Sequence, residues 1–299
     1  MVRFINGFGL GRNMKHTWII TCFLILMFFA SQVIGLKITQ SYIDVPASEE
    51  KGELVWKDLP AVAGVKIERP EVEPQFSIWY IIGAVIIGTL LILLIIRLNT
   101  VFLWKLWFYF AVVLCLQIAV AAFIPALYAF IIALVFGFFK VFKPNLYLHN
   151  LTELFVYSGL AVIFVPMLNV MYAFILMIAL SFYDMYAVWK SKHMIKMAKF
   201  QTKSGIFAGL LIPYAAPSLR GVKKKVRTAV LGGGDMGFPL IFAGTVLVAS
   251  GFIPALIVSV CTTASLSVLL LLSQKDRFYP AIPFLTAGCA VGYLITLLL

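Results

Sequence analysis

Two acidic residues stand well inside apolar runs of this sequence: Asp184, in Phe182-Tyr183-Asp184-Met185, and Asp235, in Gly232-Gly233-Gly234-Asp235-Met236-Gly237. A lone carboxylate in hydrocarbon is costly, so each is a candidate functional group by default. Two carboxyl groups within reach of each other in a low-dielectric site cannot both ionise cheaply, and they come to share one proton. That puts an acid and a base in one place. The ionised member can activate a water for attack on a peptide carbonyl, while the protonated member polarises that carbonyl and then helps protonate the departing amine. Both protons belong to the pair, so no fixed order of roles is assigned. Gly232, Gly233 and Gly234 weaken the start of their helix and let another backbone approach closely, as an enzyme presenting a carboxylate to a main-chain amide requires. Small residues that only pack helices tightly are the plainer reading. Tyr183 could shape a pocket beside Asp184 or simply pack.

The elements that position these acids are membrane spans. Hydrophobic residues make up 63% of the 299 residues and charged residues only 12%, a composition that excludes a soluble domain. The net charge of +12 falls in short connections between apolar runs, which fits membrane orientation and not a nucleic-acid partner. Cys22, Cys115, Cys261 and Cys289 lie in apolar runs and indicate neither a disulfide framework nor a zinc site. The first apolar run, from about Thr17 to Leu36, is long enough to cross a core of roughly 30 Å. A cleaved signal peptide would carry an apolar region of about 7–15 residues, shorter than this one. The second span runs from about Ile78 to Ile96. The stretch after Lys105 is too long for one crossing and should fold back near Pro125; residues 154 to 189 divide near Pro166 and Asn169, and 229 to 272 near Gly251 and Pro254. A last span follows from about Pro280 to Leu298. The fold class is therefore all-α, a polytopic membrane protein of nine transmembrane helices. Its parts are an inner amino-terminal segment (1–16), spans one to six (17–189) with an external loop at 37–75, a partly amphipathic connection (190–228), and spans seven to nine (229–299). The loop should be irregular, with at most a short hairpin or helix.

Nine spans with the amino terminus inside place nineteen of the 24 lysines and arginines on one face, as the positive-inside rule requires. Only Lys37, Lys51, Lys57, Lys66 and Arg69, in the net-acidic loop, fall outside. The carboxyl terminus is then external. Trp18, Trp79, Trp104, Trp107 and Trp189 sit at expected span ends, in the manner of an aromatic belt. Asp184 precedes Lys190 on a helix descending to the inner face and Asp235 follows Arg227 on one rising from it, so the two lie at matching depth, about 9–12 Å from the boundary. Spans six and seven are consecutive and should be neighbours.

At these residues the chain resembles the presenilin and signal peptide peptidase group of intramembrane aspartyl proteases, in the manner of a microbial homologue in a cell membrane. That family pairs Tyr-Asp in span six with Gly-x-Gly-Asp in span seven, matched by Tyr183-Asp184 and Gly232-Gly233-Gly234-Asp235. Its Pro-Ala-Leu motif at span nine appears as Pro280-Ala281-Ile282, with Pro283 following. Pro125-Ala126-Leu127 and Pro254-Ala255-Leu256 match the letters better but fall at outer turns. The resemblance implies nine spans, peptide-bond hydrolysis by Asp184 and Asp235, and substrate binding by Tyr183, the three glycines and the Pro280 to Pro283 segment. Prolines there would leave carbonyls free for an extended peptide. The resemblance also implies that about Val226 to Leu231 pairs with an unwound substrate by strand addition. Presenilins carry a longer loop between spans six and seven, so self-cleavage is not expected here.

No metal or organic cofactor is expected. The partners are transmembrane-helix peptides and the lipid bilayer; oligomeric state, a homo-oligomer included, stays open. Lys192, Lys196, Lys199 and Lys203 share a helical face with Met194, Ile195, Met197 and Phe200 elsewhere, which suggests a helix lying on anionic lipid, either as a substrate gate or as an anchor. Gly205 to Leu219 reads as a mobile inner-surface segment. Glu153 should begin span five, solvated or paired. Gln117 and Asn169 should bond between helices. His16, His149 and His193 do not converge in sequence. The competing class is a proton-coupled transporter or cation pore using the same acids, although no internal repeat supports a transporter fold.

Overall fold

The computed structural model describes residues 18–62, 64–70, 72–98, 100–191, 197, 200, 201, 205–213, 228–273 and 279–299. Its helices are α1 (Trp18–Ser41), a short α2 (Val45–Lys51), α3 (Pro74–Leu98), α4 (Val101–Ala121), α5 (Ala126–Phe142), α6 (Leu146–Phe164), α7 (Val170–Met185), α8 (Gly233–Ser250), α9 (Phe252–Leu272) and α10 (Ile282–Leu298). Two strands, β1 (Gly209–Pro213) and β2 (Thr228–Gly232), precede α8. Seven helices are long and apolar enough to cross a membrane. α5 and α10, at 17 residues each, are apolar but shorter, and stand where the fourth and ninth spans are expected. Each would reach about 25 Å, just under the hydrocarbon thickness.

The breaks between helices have local causes. Pro125 ends the turn before α5 in an extended conformation. Asn145 caps α6, accepting from the amides of Tyr147 and Leu148, so this helix begins eight residues before the expected start at 154. Asn169 caps α7 through the amide of Tyr172, and among the described residues its side chain does not bond to another span. Gly251 turns the chain between α8 and α9 with φ of 92°, a left-handed value that favours glycine. α7 ends in a π-helical turn, Tyr186–Lys190, beginning two residues after Asp184; such turns recur at functional sites.

α8 is the centre of the bundle. It packs against α1, α6, α7, α9 and α10, and every residue from Met236 to Leu247 except Phe238 is buried. α3 is the opposite case: it packs chiefly on α7 and α4, and Ile86, Ile87, Leu90, Leu91 and Leu94 are exposed. Of the expected belt, Trp18, Trp79, Trp107 and Trp189 are exposed, but Trp104 is buried with Ile95, Phe108, Val112, Val141 and Ile206. Its position near a helix end did not make it a surface residue, because α4 turns that face inward.

The loop after α1 is tied to the spans beneath it. The Tyr42 hydroxyl donates to the carbonyl of Ile118 at 2.7 Å. Gln117 Nε2 donates to Ala61 O at 2.7 Å, so this glutamine anchors the loop instead of joining two helices. Arg69 reaches the carbonyls of Val162 and Lys57 and lies over the Trp56 ring. Burial pushes the Tyr42 hydroxyl up to about 12, with Arg69 opposing.

The segment read as a mobile surface stretch forms β1 over 209–213, antiparallel to β2 with Leu211 opposite Val230. Leu210, Ile212, Ala229 and Leu231 are buried in the central core, whereas Val230 is exposed. The periodicity of two was legible in neither strand because the inward residues are apolar and the outward ones are too. The all-α class holds apart from this pair. Lys192, Met194, Ile195, Lys196, Lys199 and Lys203 lie outside the described residues, as do 214–227. Phe200, which is described, packs inward on the cluster around Trp104.

Candidate active site

Asp184 lies on α7 and Asp235 on α8, helices that pack together. Asp184 is buried and Asp235 partly exposed, and each lies within electrostatic reach of the other. Asp235 is the third residue of α8, whose cap is Gly232. From there its carboxylate folds back toward Gly232, whose amide lies within hydrogen-bonding reach of it, the placement a capping-box side chain takes at a helix N-terminus. An amino-terminal helix end also favours negative charge.

Asp184 is held from a third helix. The Ile282 amide donates to Asp184 Oδ2 at 3.2 Å, and the Ala281 amide also lies within hydrogen-bonding reach of that carboxyl. Residues 279–281 are not helical, α10 starts at Ile282, and Pro283 occupies its first turn, where a missing N–H leaves no helical bond unmade. The structure therefore joins the Pro280 copy of the tripeptide to Asp184, whereas Pro125 and Pro254 open α5 and α9 at helix starts elsewhere. Two of the carbonyls expected to be free are bonded: Ala281 O accepts from the Leu285 amide and Ile282 O from Thr286 Oγ1. What this segment offers toward Asp184 is amide donors. One turn further in, Ser181 and Thr286 share a 2.8 Å hydrogen bond that ties α7 to α10.

The other sequence candidates sort as follows. The Tyr183 hydroxyl is 3.1 Å from Thr89 Oγ1 on α3. A Cβ on Gly233 would overlap the Tyr157 side chain of α6, and one on Gly232 would come within 3.1 Å of Asp235 Oδ2. The need for glycine at 233 is thus set by a tyrosine ring as much as by any approaching backbone. A Cβ on Gly234 would meet only Phe238, at an ordinary 3.5 Å.

Several contacts near the site escaped the sequence reading, although pairing was one of the two expectations for Glu153. Lys140 and Glu153, taken as boundary charges, are both buried and pair at 2.6 Å. Lys140 also donates to Thr152 Oγ1 at 2.8 Å. His149 lies 3.8 Å from Glu153, so the histidine set aside as isolated joins this cluster through the i,i+4 spacing. His149 Nε2 meets Gly209 O at 2.8 Å. Asn150 exchanges two bonds with Leu211. Gln32 on α1 donates to Met236 O at 3.0 Å, one residue after Asp235. The signal that could have found the ion pair is its spacing: Lys140 and Glu153 flank a short Lys143-Pro144-Asn145 turn that folds α5 against α6.

A family profile described as signal-peptide peptidase, presenilin aspartyl protease, matches residues 61–299, and the chain belongs to that family. It is an integral membrane protein with the family's fold. A solved structure of a presenilin family intramembrane aspartate protease in space group C222 superposes with a TM-score of 0.62 at 18% identity, covering 93% of this chain and 99% of that one. A second, in space group P2, gives 0.59 at 19% identity, covering 92% and 96%. No curated protein matches the chain.

Proposed function

We propose that this chain is an intramembrane aspartyl endopeptidase that hydrolyses peptide bonds within transmembrane helices, with Asp184 and Asp235 as its catalytic pair. The observation that carries this reading is the joining of three separated motifs at one place. Asp184 takes a hydrogen bond from Ile282 while standing within electrostatic reach of Asp235. The ionised carboxyl takes a proton from water, whose oxygen bonds to the peptide carbonyl carbon. The protonated carboxyl gives its proton to the carbonyl oxygen. Collapse of the resulting gem-diol breaks the C–N bond, and the amine leaves with a proton from the pair. No metal or organic cofactor enters these steps.

A transmembrane helix hides its peptide bonds, so it must unwind locally and find substitute hydrogen bonds. β2, which overlaps the Val226 to Leu231 region expected for strand addition, can supply them. Gly232, Gly233, Gly234 and the Pro280 to Pro283 segment flank the scissile bond, with Tyr183 beside it. The distribution of lysines and arginines supports an inside amino terminus; the strands would then lie toward the inner face, and substrates would present their own amino termini outside.

Purified protein in liposomes, mixed with a synthetic peptide bearing about 20 apolar residues, tests the reading. Cleavage by the parent and its loss in both Asp184→Asn and Asp235→Asn is expected. Undiminished cleavage in both variants removes the assignment. Ion flux that disappears with the same substitutions, without cleavage, would mark a transporter or pore.

A further inference from the structure

The strand pair has two edges, and α6 occupies one of them. The Leu211 amide donates to Asn150 Oδ1 at 3.0 Å and the Leu211 carbonyl accepts from Asn150 Nδ2 at 2.8 Å. This is the two-bond exchange that a residue of a facing strand makes. One residue earlier on α6, His149 Nε2 sits 2.8 Å from Gly209 O, and His149 is itself buried and backed by Glu153 and Lys140. In an antiparallel pair, opposed residues either exchange hydrogen bonds with each other or both point away. Leu211 is opposite Val230, and Gly209 opposite Gly232. Since Leu211 and Gly209 point to α6, Val230 and Gly232 must point to the far edge of β2. Gly232 agrees, because its amide is turned to the Asp235 carboxylate. Among the described residues no third strand covers that edge, and Val230 is 42% exposed.

The geometry points to Asn150, with His149, as a substitute strand: α6 closes the β1 edge, so an incoming peptide can add only to the β2 edge, which leads along Val230 and Gly232 to Asp235. Asn150 is therefore a positioning residue, acting through β1 and β2 and never touching the peptide. The identity of the incoming strand as substrate rests on the protease reading above; the assignment of the edge does not. Without the clamp, β1 can shift against α6, and a strand held only by backbone bonds slips in steps of two residues, which preserve its faces. Asn150 thus fixes where the peptide is cut.

The test is residue-resolved hydrogen exchange on the full chain in nanodiscs, in an Asp184→Asn background, with the same synthetic apolar peptide as probe. Cleavage products of the active chain are mapped by mass spectrometry alongside. In the peptide-free chain the Leu211 amide should exchange slowly and the Val230 amide fast, and peptide should slow Val230 while leaving Leu211 unchanged. Asn150→Leu should accelerate Leu211 by roughly 30-fold, the effect of two lost hydrogen bonds of about 1 kcal/mol each. It should also spread the products by two residues on either side of the principal cut. Asn150→Asp, which keeps the acceptor and loses the donor, should fall between. Unchanged exchange at Leu211 in Asn150→Leu, or a peptide that is cut while Val230 exchange stays the same, overturns the proposal. Protection of Val230 by a peptide that the active chain never cuts supports the edge assignment and overturns the protease reading.

Discussion

Among the described residues, two sets of charged groups lie inside this bundle, and they are built on opposite rules. Lys140 and Glu153 are opposite in sign, touch at 2.6 Å and are surrounded by Thr152 and the His149 carbonyl. Asp184 and Asp235 are alike in sign, and the groups turned to them are neutral backbone amides of Ile282 and Gly232. A buried pair of opposite charges offsets part of its desolvation by mutual attraction and is chemically quiet. A pair of like charges stays unresolved until a proton is shared, which is the condition acid–base chemistry needs. On the proposed reading, the difference separates a group that holds the fold from a group that does work on a substrate.

The sharpest way to break the comparison is to neutralise one aspartate. Asp184→Asn or Asp235→Asn should lower cleavage of a transmembrane peptide by about 10²–10⁴-fold. The thermal midpoint in detergent should hold or rise, since a self-repelling site is relieved. A variant that lost fold and activity together would make the aspartates structural, and the two clusters would no longer differ in kind.

The same operation on the other cluster should do the reverse. Lys140→Met leaves Glu153 buried without its cation and should destabilise the chain by about 3–5 kcal/mol, while Lys140→Met combined with Glu153→Leu should recover most of that loss. A denaturation cycle over the four proteins measures the coupling. Cleavage per folded molecule should change less in the double variant than in either aspartate variant.

The sequence made one cluster visible and hid the other for a physical reason. Asp184 and Asp235 have apolar neighbours on both sides, so a hydropathy reading isolates them. Lys140 sits near Lys143, and Glu153 near the polar Asn145 and His149, so both look like ends of spans. Only the folding of α5 onto α6 buries them. The spans themselves were legible because their breaks carry Pro125, Asn169 and Gly251. β1 was not, since Gly209 to Pro213 is apolar throughout and shows no alternation. Nor was the contact of Ile282 with Asp184: the tripeptide predicted nearness, but which atoms meet depends on where α10 begins.

Gly233 and Tyr157 sit where the two clusters adjoin, and substitution there sharpens how far one depends on the other. Gly233→Ala places a methyl group into the Tyr157 ring and hydroxyl, an overpacking worth about 1–3 kcal/mol. Because Gly233 begins the turn that carries Asp235, cleavage should fall by more than stability alone explains, which a kcat measurement at saturating peptide, normalised to folded protein, would reveal.

The smallest effect belongs to Tyr157→Phe. The hydroxyl lies beside Glu153, yet neither it nor Glu153 Oε2 closes a hydrogen bond among the described residues. A buried hydroxyl without a partner gives no net stabilisation, and its removal leaves no group newly orphaned. Tyr157→Phe should therefore leave the denaturation midpoint unchanged or slightly raised, and cleavage within about twofold. A loss near 1 kcal/mol would instead mean that Tyr157 donates to Glu153 in the folded chain. The quiet cluster would then extend to the floor of the Asp235 turn, and the division between holding and working groups would run through Tyr157 itself.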